Sequence, residues 1–264
     1  MSWRLVLDPP ADGATNMATD TAILEAVAAG AAPPTLRLYA WSPPCLSIGA
    51  LQPVTRTLAA PGMPGRDWVR RPTGGRALLH DRELTYAVIT RQDEPLVAGG
   101  IGPAYCRIAG ALVAGLEQLG VPDLAIAPRR RRTSRANGPA CYETASDYEL
   151  TARGRKLVGS AQLWRDGALI PHGSIPLALD RRALAERLAV ADREELVAIL
   201  AREATALDEL LDRPPTLAAL CAAVVSGFER LVGPLSPSPL TARERELLPT
   251  LRVFYCSPSW SSRR

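Results

Sequence analysis

The 264-residue sequence predicts an α/β (α+β) fold, in which a strand-rich body carries helices at both ends. Three observations lead to this prediction. Apolar and polar residues alternate in several short segments between residues 35 and 177, a spacing typical of strands. Residues 16–29 and the chain beyond Asp180 instead place apolar residues three or four positions apart, as helices do. An apolar content of 47% over this length can fill one sizeable core, so we expect one main domain.

The first half of the chain predicts a helix, several short strands and a second helix. Asn16 can cap a helix over residues 16–29, because its short amide side chain can accept hydrogen bonds from the first turn. The strands are expected over residues 36–40, 46–49, on both sides of Gly74-Gly75, and over 84–90. Residues 108–119 predict the second helix, which ends at Gly120 because glycine readily adopts the left-handed conformation of helix ends.

Residues 148–177 predict a three-stranded meander. Its turns are expected at Arg153-Gly154 and at Asp166-Gly167, and an Asp-Gly pair is a strong hairpin signal. Lys156 then opens the middle strand. Residues 128–139, which contain four consecutive arginines, Arg129 to Arg132, predict an exposed, mobile loop just before the meander.

Helices are expected beyond Asp180. Two pairs have the spacing of a capping box, Asp192 with Glu195 and Thr241 with Glu244. Residues 217–228 predict a helix that ends near Gly233, and the proline-rich residues 232–240 are the best candidate for a linker. We therefore divide the chain into a core, residues 1–180, and a helical C-terminal extension of the same domain, residues 181–264.

Composition excludes several classes of protein. No stretch approaches the ~20 apolar residues that span a bilayer, and no signal peptide is evident, so we expect a cytoplasmic protein that does not bind membranes. A net charge of +4 favours an acidic partner but is too small to indicate nucleic acid. The odd, scattered cysteines and two histidines support neither a disulfide framework nor a zinc site. We expect a monomer that binds no metal ion and no cofactor.

One lysine, Lys156, stands among thirty arginines, in the string "GRKLVGSAQ". Cys141 lies shortly before it in the chain. A thiol is a good nucleophile only as the thiolate, which a nearby ammonium stabilises, so a Cys141/Lys156 dyad is chemically sensible. The alternative is that Cys141 is a small buried apolar residue, as most unpaired cysteines are.

A second candidate is the string "RRPTGGRALLHD", residues 70–81, where Gly74 and Gly75 could offer backbone N–H groups to an oxygen. An ordinary turn between strands is the alternative. His172 could donate to a carbonyl or hold a structural hydrogen bond. Ser160 and Ser174 lack the Gly-x-Ser-x-Gly context of a hydrolase nucleophile. The arginines Arg129 to Arg132 could contact an acidic carrier protein or phosphopantetheine, or could simply be solvated.

Several strings occur in an order that resembles the lipoate–protein ligase A family over residues 16–177: "NMATDTAILEAV", "PTLRLYAWSPPCLSIG", "RRPTGGRALLHDRELTYAV", "CYETASDYEL", "GRKLVGSAQ" and "HGSIPL". Within that superfamily the chain looks like the LipM-type octanoyltransferases. ATP-dependent ligases more often carry a third glycine where this chain has Arg76. The resemblance implies a biotin/lipoyl protein ligase-like fold, with a mixed sheet, flanking helices and an apolar tunnel for the acyl chain.

The resemblance also implies a reaction. Cys141 would take an octanoyl group from octanoyl acyl carrier protein, and a lysine of a lipoyl domain, in glycine cleavage H protein or a 2-oxoacid dehydrogenase E2, would accept it. The catalytic residues would be Cys141 and Lys156. The implied substrate-binding residues are Arg70, Arg71, Thr73, Gly74, Gly75, Arg76, His80, Gly159, Ser160, Ala161, His172, Gly173 and Ser174. The alternatives are an ATP-dependent ligase, in which Cys141 is incidental, and a non-catalytic carrier-binding protein.

Overall fold

The computed structural model describes residues 2–60, 62–127, 138–143 and 149–263. The strands are β1 Trp3–Leu7, β2 Thr35–Tyr39, β3 Cys45–Ile48, β4 Trp68–Arg70, β5 Leu78–His80, β6 Glu83–Arg91, β7 Leu124–Ile126, β8 Leu150–Ala152, β9 Arg155–Arg165, β10 Ala168–Pro176 and β11 Leu235–Pro237. The α-helices are α1 Gly13–Ala28, α2 Val54–Thr57, α3 Ile101–Gln118, α4 Arg181–Arg187, α5 Arg193–Glu203, α6 Leu207–Leu210, α7 Leu217–Val232, α8 Ala242–Cys256 and α9 Pro258–Ser261. The α/β class is confirmed.

A mixed sheet forms the centre of the molecule. Its eight strands follow the order β11-β1-β2-β6-β10-β9-β8-β7. Strand β1 is parallel to both of its neighbours, β11 and β2. From β2 to the other edge, each strand is antiparallel to the next, in the order β2, β6, β10, β9, β8 and β7. A separate three-stranded sheet has the order β4-β3-β5. The predicted mixed sheet with flanking helices is therefore present.

Helices cover both faces of the large sheet, and the alternation of side chains along β6 shows why. Leu84, Tyr86 and Val88 lie in a buried cluster with residues of α3 and α7. Ala87 and Ile89 point the other way, into a cluster with residues of α1 and α8. Because successive side chains of a strand alternate between faces, a strand buried on both faces is apolar at nearly every position.

The predicted meander is present as β8, β9 and β10. Its turns hold positive φ angles, 49° at Arg153 and 73° at Gly154, then 54° at Asp166 and 77° at Gly167. Two successive residues with positive φ form the type of turn whose twist matches antiparallel strands, and Asp-Gly accommodates it readily. Lys156, which was predicted to open the middle strand, is the second residue of β9, one position after Arg155.

Two predictions were wrong, the cap of α1 and the proline-rich linker. Asp12, not Asn16, caps α1, because its carboxylate accepts a hydrogen bond from the Thr15 N–H at 2.7 Å. The amide of Asn16 instead donates to the carbonyls of Ala11 and Ala40, each at 3.1 Å, and is buried. The proline-rich residues 232–240 do not form a simple linker, because they contain strand β11 at the edge of the large sheet.

The capping box predicted for α8 is confirmed, and of the one predicted for α5 the N-cap hydrogen bond is present. Thr241 and Glu244 form a reciprocal capping box at the start of α8, and the Asp192 side chain accepts from the Glu195 N–H at the start of α5. Gly233 ends α7 with a φ of 81°. The predicted arginine loop lies largely outside the described residues, since residues 128–137, with Arg129 to Arg132, are not among them.

The chain beyond Asp180 packs closely on the preceding residues. In α8, the Tyr255 hydroxyl is 2.7 Å from the Thr21 hydroxyl of α1, and both side chains are buried. The Thr205 N–H donates to the carbonyl oxygen of Lys156 at 2.9 Å. The C-terminal segment therefore helps to hold the start of β9 in place. Within the described ranges, every helix is too short or too polar to cross a lipid bilayer.

Helices α3 and α7 approach each other at small residues, which leads to a stability prediction. A Cβ atom on Gly227 would overlap the carbonyl oxygen of Ala111, whereas a Cβ on Gly110, also in α3, would meet nothing within 4 Å. We expect Gly227→Ala to lower the free energy of unfolding by about 1–3 kcal/mol through overpacking. Gly110→Ala should instead raise it by roughly 0.5–1 kcal/mol, because alanine loses less backbone entropy in a helix. Urea denaturation measures both changes. If the two variants change the free energy of unfolding equally, α7 does not approach α3 closely at Gly227.

Candidate active site

Cys141 begins a short 3-10 turn, Cys141–Glu143, that is tied to the segment after the glycine pair. The Cys141 N–H donates to the carbonyl of Ala77 at 2.8 Å, and the Ala77 N–H donates to the carbonyl of Pro139 at 2.9 Å. Gln52 also donates to the Pro139 carbonyl, at 3.1 Å. The Cys141 side chain is partly exposed, so it is not the fully buried apolar residue of the alternative interpretation.

The structure brings Lys156 to Cys141. The Lys156 Nζ lies 3.4 Å from the Cys141 Sγ and donates to the Cys141 carbonyl oxygen at 2.9 Å. The lysine side chain is only 1% exposed. Gly159 makes room for this contact, since a Cβ at that position would lie 3.3 Å from Sγ and 3.5 Å from the lysine Cε.

Glu149 is a third member of this cluster that the sequence did not reveal. Its carboxylate lies 2.8 Å (Oε1) and 2.7 Å (Oε2) from the Lys156 Nζ, and it also accepts from the Ser160 N–H at 3.3 Å. Burial alone would lower the pKa of Lys156, but the neighbouring Cys141 and Glu149 together raise it above its ordinary value. Lys156 is therefore an ammonium at neutral pH. Only the "YEL" string before β8 hinted at a buried acid, and strand propensity does not distinguish such an acid from an exposed one.

Arg71 organises the glycine loop. Its guanidinium donates to the carbonyls of Gly74 and Arg76, at 2.9 and 2.7 Å, and to the Ser47 hydroxyl at 2.9 Å. Gly75 has a φ of 87°, a conformation that residues with a Cβ rarely adopt. A buried side chain thus holds the carbonyls of this loop, which an ordinary Gly-Gly turn does not require.

Arg70 has a different environment. Its guanidinium is fully buried and donates to backbone carbonyls of Gly49, Gln52 and Ser261, at 3.0, 2.7 and 3.1 Å. These contacts join β4 to the loop after β3 and to the last helix. Arg70 was predicted to bind substrate, but the structure places it among backbone carbonyls.

Two histidines occupy buried polar networks beside the glycine loop. His172 lies 2.7 Å from the Thr73 hydroxyl through Nε2, and its Nδ1 is 3.8 Å from a carboxylate oxygen of Asp20. Burial lowers the pKa of His172, and Asp20 only partly opposes this effect, so the ring is neutral at pH 7. Arg37 donates to the same Asp20 at 2.6 Å. Although burial alone would raise the pKa of Asp20, Arg37 and His172 hold it below its ordinary value.

His80 belongs to the second network, which is centred on Glu83. The His80 Nδ1 is 2.7 Å from the Glu83 carboxylate, to which Thr85 and Ser174 also donate, at 2.6 and 2.5 Å. Burial alone would raise the pKa of Glu83, but His80 and these hydrogen bonds hold it below its ordinary value. The His80 ring stacks on Trp41, with ring centres 3.9 Å apart.

A cavity with about 440 Å³ of empty space, open to solvent, lies between the two sheets with Cys141 in its wall. Ten predicted site residues line it: Arg71, Gly75, His80, Cys141, Gly159, Ser160, Ala161, His172, Gly173 and Ser174. Sequence reasoning missed six further lining residues: Met17, Tyr39, Trp41, Ser47, Leu78 and Thr85. Five predicted site residues do not line this cavity: Arg70, Thr73, Gly74, Arg76 and Lys156. In the described parts of the chain, His, Cys, Asp and Glu side chains form no group of three or more that could hold a metal ion.

The buried pair leads to a prediction about stability. We expect Glu149→Gln to lower the free energy of unfolding by about 3 kcal/mol, because it leaves a buried ammonium without its carboxylate. In a Lys156→Met background the same change should cost much less, since no ammonium remains. Urea denaturation of the four proteins gives the coupling energy. Glu194→Gln, which breaks the exposed pair with Arg182, is the control and should cost at most about 1 kcal/mol. If Glu149→Gln lowers the free energy of unfolding equally in both backgrounds, the carboxylate does not stabilise the Lys156 ammonium.

The His172 environment predicts a pH dependence. Because the pKa of His172 is lowered from its ordinary 6.5, the folded state favours the neutral ring. The contribution of the neutral ring to the free energy of unfolding is complete above the ordinary pKa of 6.5. It is lost as the pH falls from there through the lowered pKa of the folded state. We therefore expect the free energy of unfolding of the wild type to fall more, between neutral pH and about pH 5, than that of His172→Gln. Urea denaturation at each pH measures both proteins. If their free energies of unfolding fall by the same amount, the folded state does not favour the neutral His172 ring.

Comparison with known proteins identifies the family of this chain. Residues 12–229 match the lipoyl protein ligase A/B catalytic domain. Octanoyltransferase LipM of Moorella thermoacetica is 42% identical over an alignment of 269 positions that covers 100% of this chain and 98% of the relative. Octanoyltransferase LipM of Symbiobacterium thermophilum is 40% identical, over 100% of this chain and 99% of the relative.

Solved structures share the fold. The bipartite lipoate protein ligase of Thermoplasma acidophilum, from a study that includes its E2 lipoyl domain, has a TM-score of 0.77 at 20% identity, over 100% of this chain and 98% of that one. A lipoate-protein ligase A bound with ATP has a TM-score of 0.76 at 21% identity, over 98% of both chains. Such identities show the fold alone, whereas the full-length relatives confirm the family resemblance. The chain therefore belongs to the lipoyl protein ligase A/B catalytic domain family and, within it, to the LipM-type octanoyltransferases.

Proposed function

We propose that this octanoyltransferase works through a thioester on Cys141, takes its acyl group from octanoyl acyl carrier protein, and passes it to a lysine of a lipoyl domain. The observation that carries the proposal is the short distance, 3.4 Å, between the Lys156 ammonium and the Cys141 Sγ. Cys141 lines the cavity. A thiol attacks as its thiolate, and the ammonium lies where it can pair with that negative charge, while the partly exposed sulfur lines the cavity.

In the first half-reaction, the Cys141 Sγ attacks the octanoyl carbonyl carbon. A C–S bond to Cys141 forms, and the C–S bond to the phosphopantetheine of the carrier breaks. The carrier leaves as a thiol after taking up the proton that Cys141 has lost. One thioester replaces another, so the step is close to balanced in free energy.

In the second half-reaction, the neutral amine of the acceptor lysine attacks the octanoyl thioester. A C–N bond forms and the C–S bond to Cys141 breaks, and amide formation makes the step downhill. The amine loses one proton and Cys141 regains one. Lys156 can relay this proton, because its ammonium faces Sγ and can give a proton to the leaving sulfur while it takes one from the amine. An arginine could not do so, since its guanidinium does not deprotonate in proteins.

Acylation changes the charge around Lys156. The resting cluster contains the ammonium, the Glu149 carboxylate and Cys141, and both neighbours raise the lysine pKa. Once Cys141 is a neutral thioester, Glu149 is left among the described neighbours to oppose the effect of burial on that pKa. The ammonium therefore becomes a better proton donor when the second half-reaction requires one.

The glycine loop offers a donor for the oxyanion. Arg71 holds the Gly74 carbonyl, and in a trans peptide group the N–H of the next residue points the opposite way. The Gly75 N–H therefore points away from the guanidinium, and Gly75 lines the cavity with Cys141. We assign this N–H to the negative oxygen of the tetrahedral intermediates, as in other acyl transfers.

The partners follow from the family. The family acts on lipoyl-domain proteins, and glycine cleavage H protein and a 2-oxoacid dehydrogenase E2 are the proposed acceptors. Octanoyl acyl carrier protein is the proposed donor. A monomer in the cytoplasm remains a prediction.

The test is acylation without ATP. Purified protein mixed with octanoyl acyl carrier protein should gain one octanoyl mass, which hydroxylamine removes, and Cys141→Ser should gain none. Lys156→Arg should pass the octanoyl group from Cys141 to a lipoyl domain on the order of 100-fold or more slowly, because it keeps a charge but cannot relay a proton. Arg155→Lys, whose side chain pairs with Glu209 at 2.8 Å, is the control and should react normally.

A different result would indicate a different function. If Cys141→Ser still transfers an acyl group to a lipoyl domain from free octanoate and ATP, the protein is a ligase and Cys141 is incidental. If Lys156→Arg reacts as fast as the wild type, the proton relay is wrong even where the thioester forms.

A further inference from the structure

One row of residues crosses four neighbouring strands under the cavity. Backbone pairing aligns Gly159 of β9 with Ser174 of β10, Ser174 with Thr85 of β6, and Thr85 with Tyr39 of β2. All four line the cavity. Neighbouring strands lie about 4.8 Å apart, so the row is about 14 Å long. The reactive sulfur lies above its first member, because a Cβ on Gly159 would be 3.3 Å from the Cys141 Sγ.

Three buried side chains close the far end of this row. Met17, Tyr39 and Trp41 are 1%, 2% and 5% exposed, whereas Cys141 is partly exposed. The three belong to one apolar cluster, which includes residues of α1 and β6. The more exposed lining residues, Gly75, Ser160 and Ala161, belong with Cys141 to the other end, so the exposures indicate a cavity that opens beside the sulfur and ends near Tyr39.

The length of the row matches a medium-length acyl chain. An extended alkyl chain advances about 1.25 Å per bond, for a bond of ~1.52 Å and an angle of ~111°, so the seven C–C bonds of octanoyl extend about 9 Å. Van der Waals contact with the closing side chains takes up about 4 Å of the row, which leaves about 10 Å for the acyl chain. We propose that Met17, Tyr39 and Trp41 set the limit of acyl length, and that Met17 is the residue at which this limit can be moved. This inference rests on the proposed Cys141 thioester.

Met17 differs chemically from its two neighbours. Tyr39 donates its hydroxyl to Asp20 at 2.9 Å, and the Trp41 indole donates to the Thr85 hydroxyl at 2.8 Å. Both rings are therefore fixed, and truncating either would leave a buried acceptor without its donor. The Met17 thioether is flexible and makes mainly apolar contacts. Met17→Ala removes three heavy atoms from the closed end without removing a hydrogen bond.

The experiment measures acylation against chain length. Acyl carrier protein charged with saturated chains of about six to fourteen carbons, spanning the length that the row accommodates, is mixed with each protein, and the intact mass of the Cys141 adduct is followed with time. The wild type should react best with octanoyl, and its rate should fall steeply for longer chains. Met17→Ala should raise the rate with decanoyl relative to octanoyl by about tenfold, the effect of two more buried methylenes. Met63→Ala, at a methionine that is 61% exposed, is the matched control.

The outcomes separate the two proposals. A length profile of Met17→Ala identical to the wild type would overturn the role of Met17 while leaving the thioester intact. If Met17→Ala does not fold, the wild-type profile still decides, because equal rates from octanoyl to the longest chain would overturn a closed end. A wild type that forms no adduct with any chain would overturn the Cys141 thioester itself, and the length limit with it.

Discussion

The contact between Lys156, Glu149 and Cys141 is the interaction on which the rest of the site depends. A fully buried ammonium is unstable unless a counter-charge lies beside it. Glu149 supplies that charge from the residue just before β8, and the Cys141 carbonyl and thiol occupy the remaining donors of Nζ. The lysine is therefore held in one position, pointing at the sulfur, without being exposed to water. Gly159 leaves the space in which the three groups meet.

The large sheet and the small sheet together form the cavity in front of this cluster. The floor comes from one face of β9, β10, β6 and β2, and the wall includes β5 and the loop that Arg71 organises. Two buried carboxylates, Asp20 and Glu83, bind the polar ends of side chains whose apolar parts face the cavity. Because these polar groups are already paired, an alkyl chain can enter without leaving a buried donor or acceptor unsatisfied.

The sequence predicted the elements that depend on local signals. The Asp166-Gly167 turn, the Thr241 capping box and the position of Lys156 in its strand follow from residue types at short spacing, and the structure has all three. Glu149, Met17 and Trp41 could not be found in this way. Each is an ordinary residue of its element in the sequence and acquires a role only because distant segments meet. The strand in the proline-rich segment was missed for a similar reason, since its partner is β1, more than 200 residues away.

The central claim is that the acyl group passes through Cys141 on its way to the acceptor lysine. The most direct test is a single-turnover experiment in which octanoyl-Cys141 enzyme is isolated, mixed with an apo lipoyl domain, and quenched at short times for intact-mass measurement. We expect the octanoyl mass to leave the enzyme and to appear on the lipoyl domain at the same rate, and this rate to be at least as fast as steady-state turnover. An acyl-enzyme that persists while the lipoyl domain is octanoylated from the carrier protein would contradict the account.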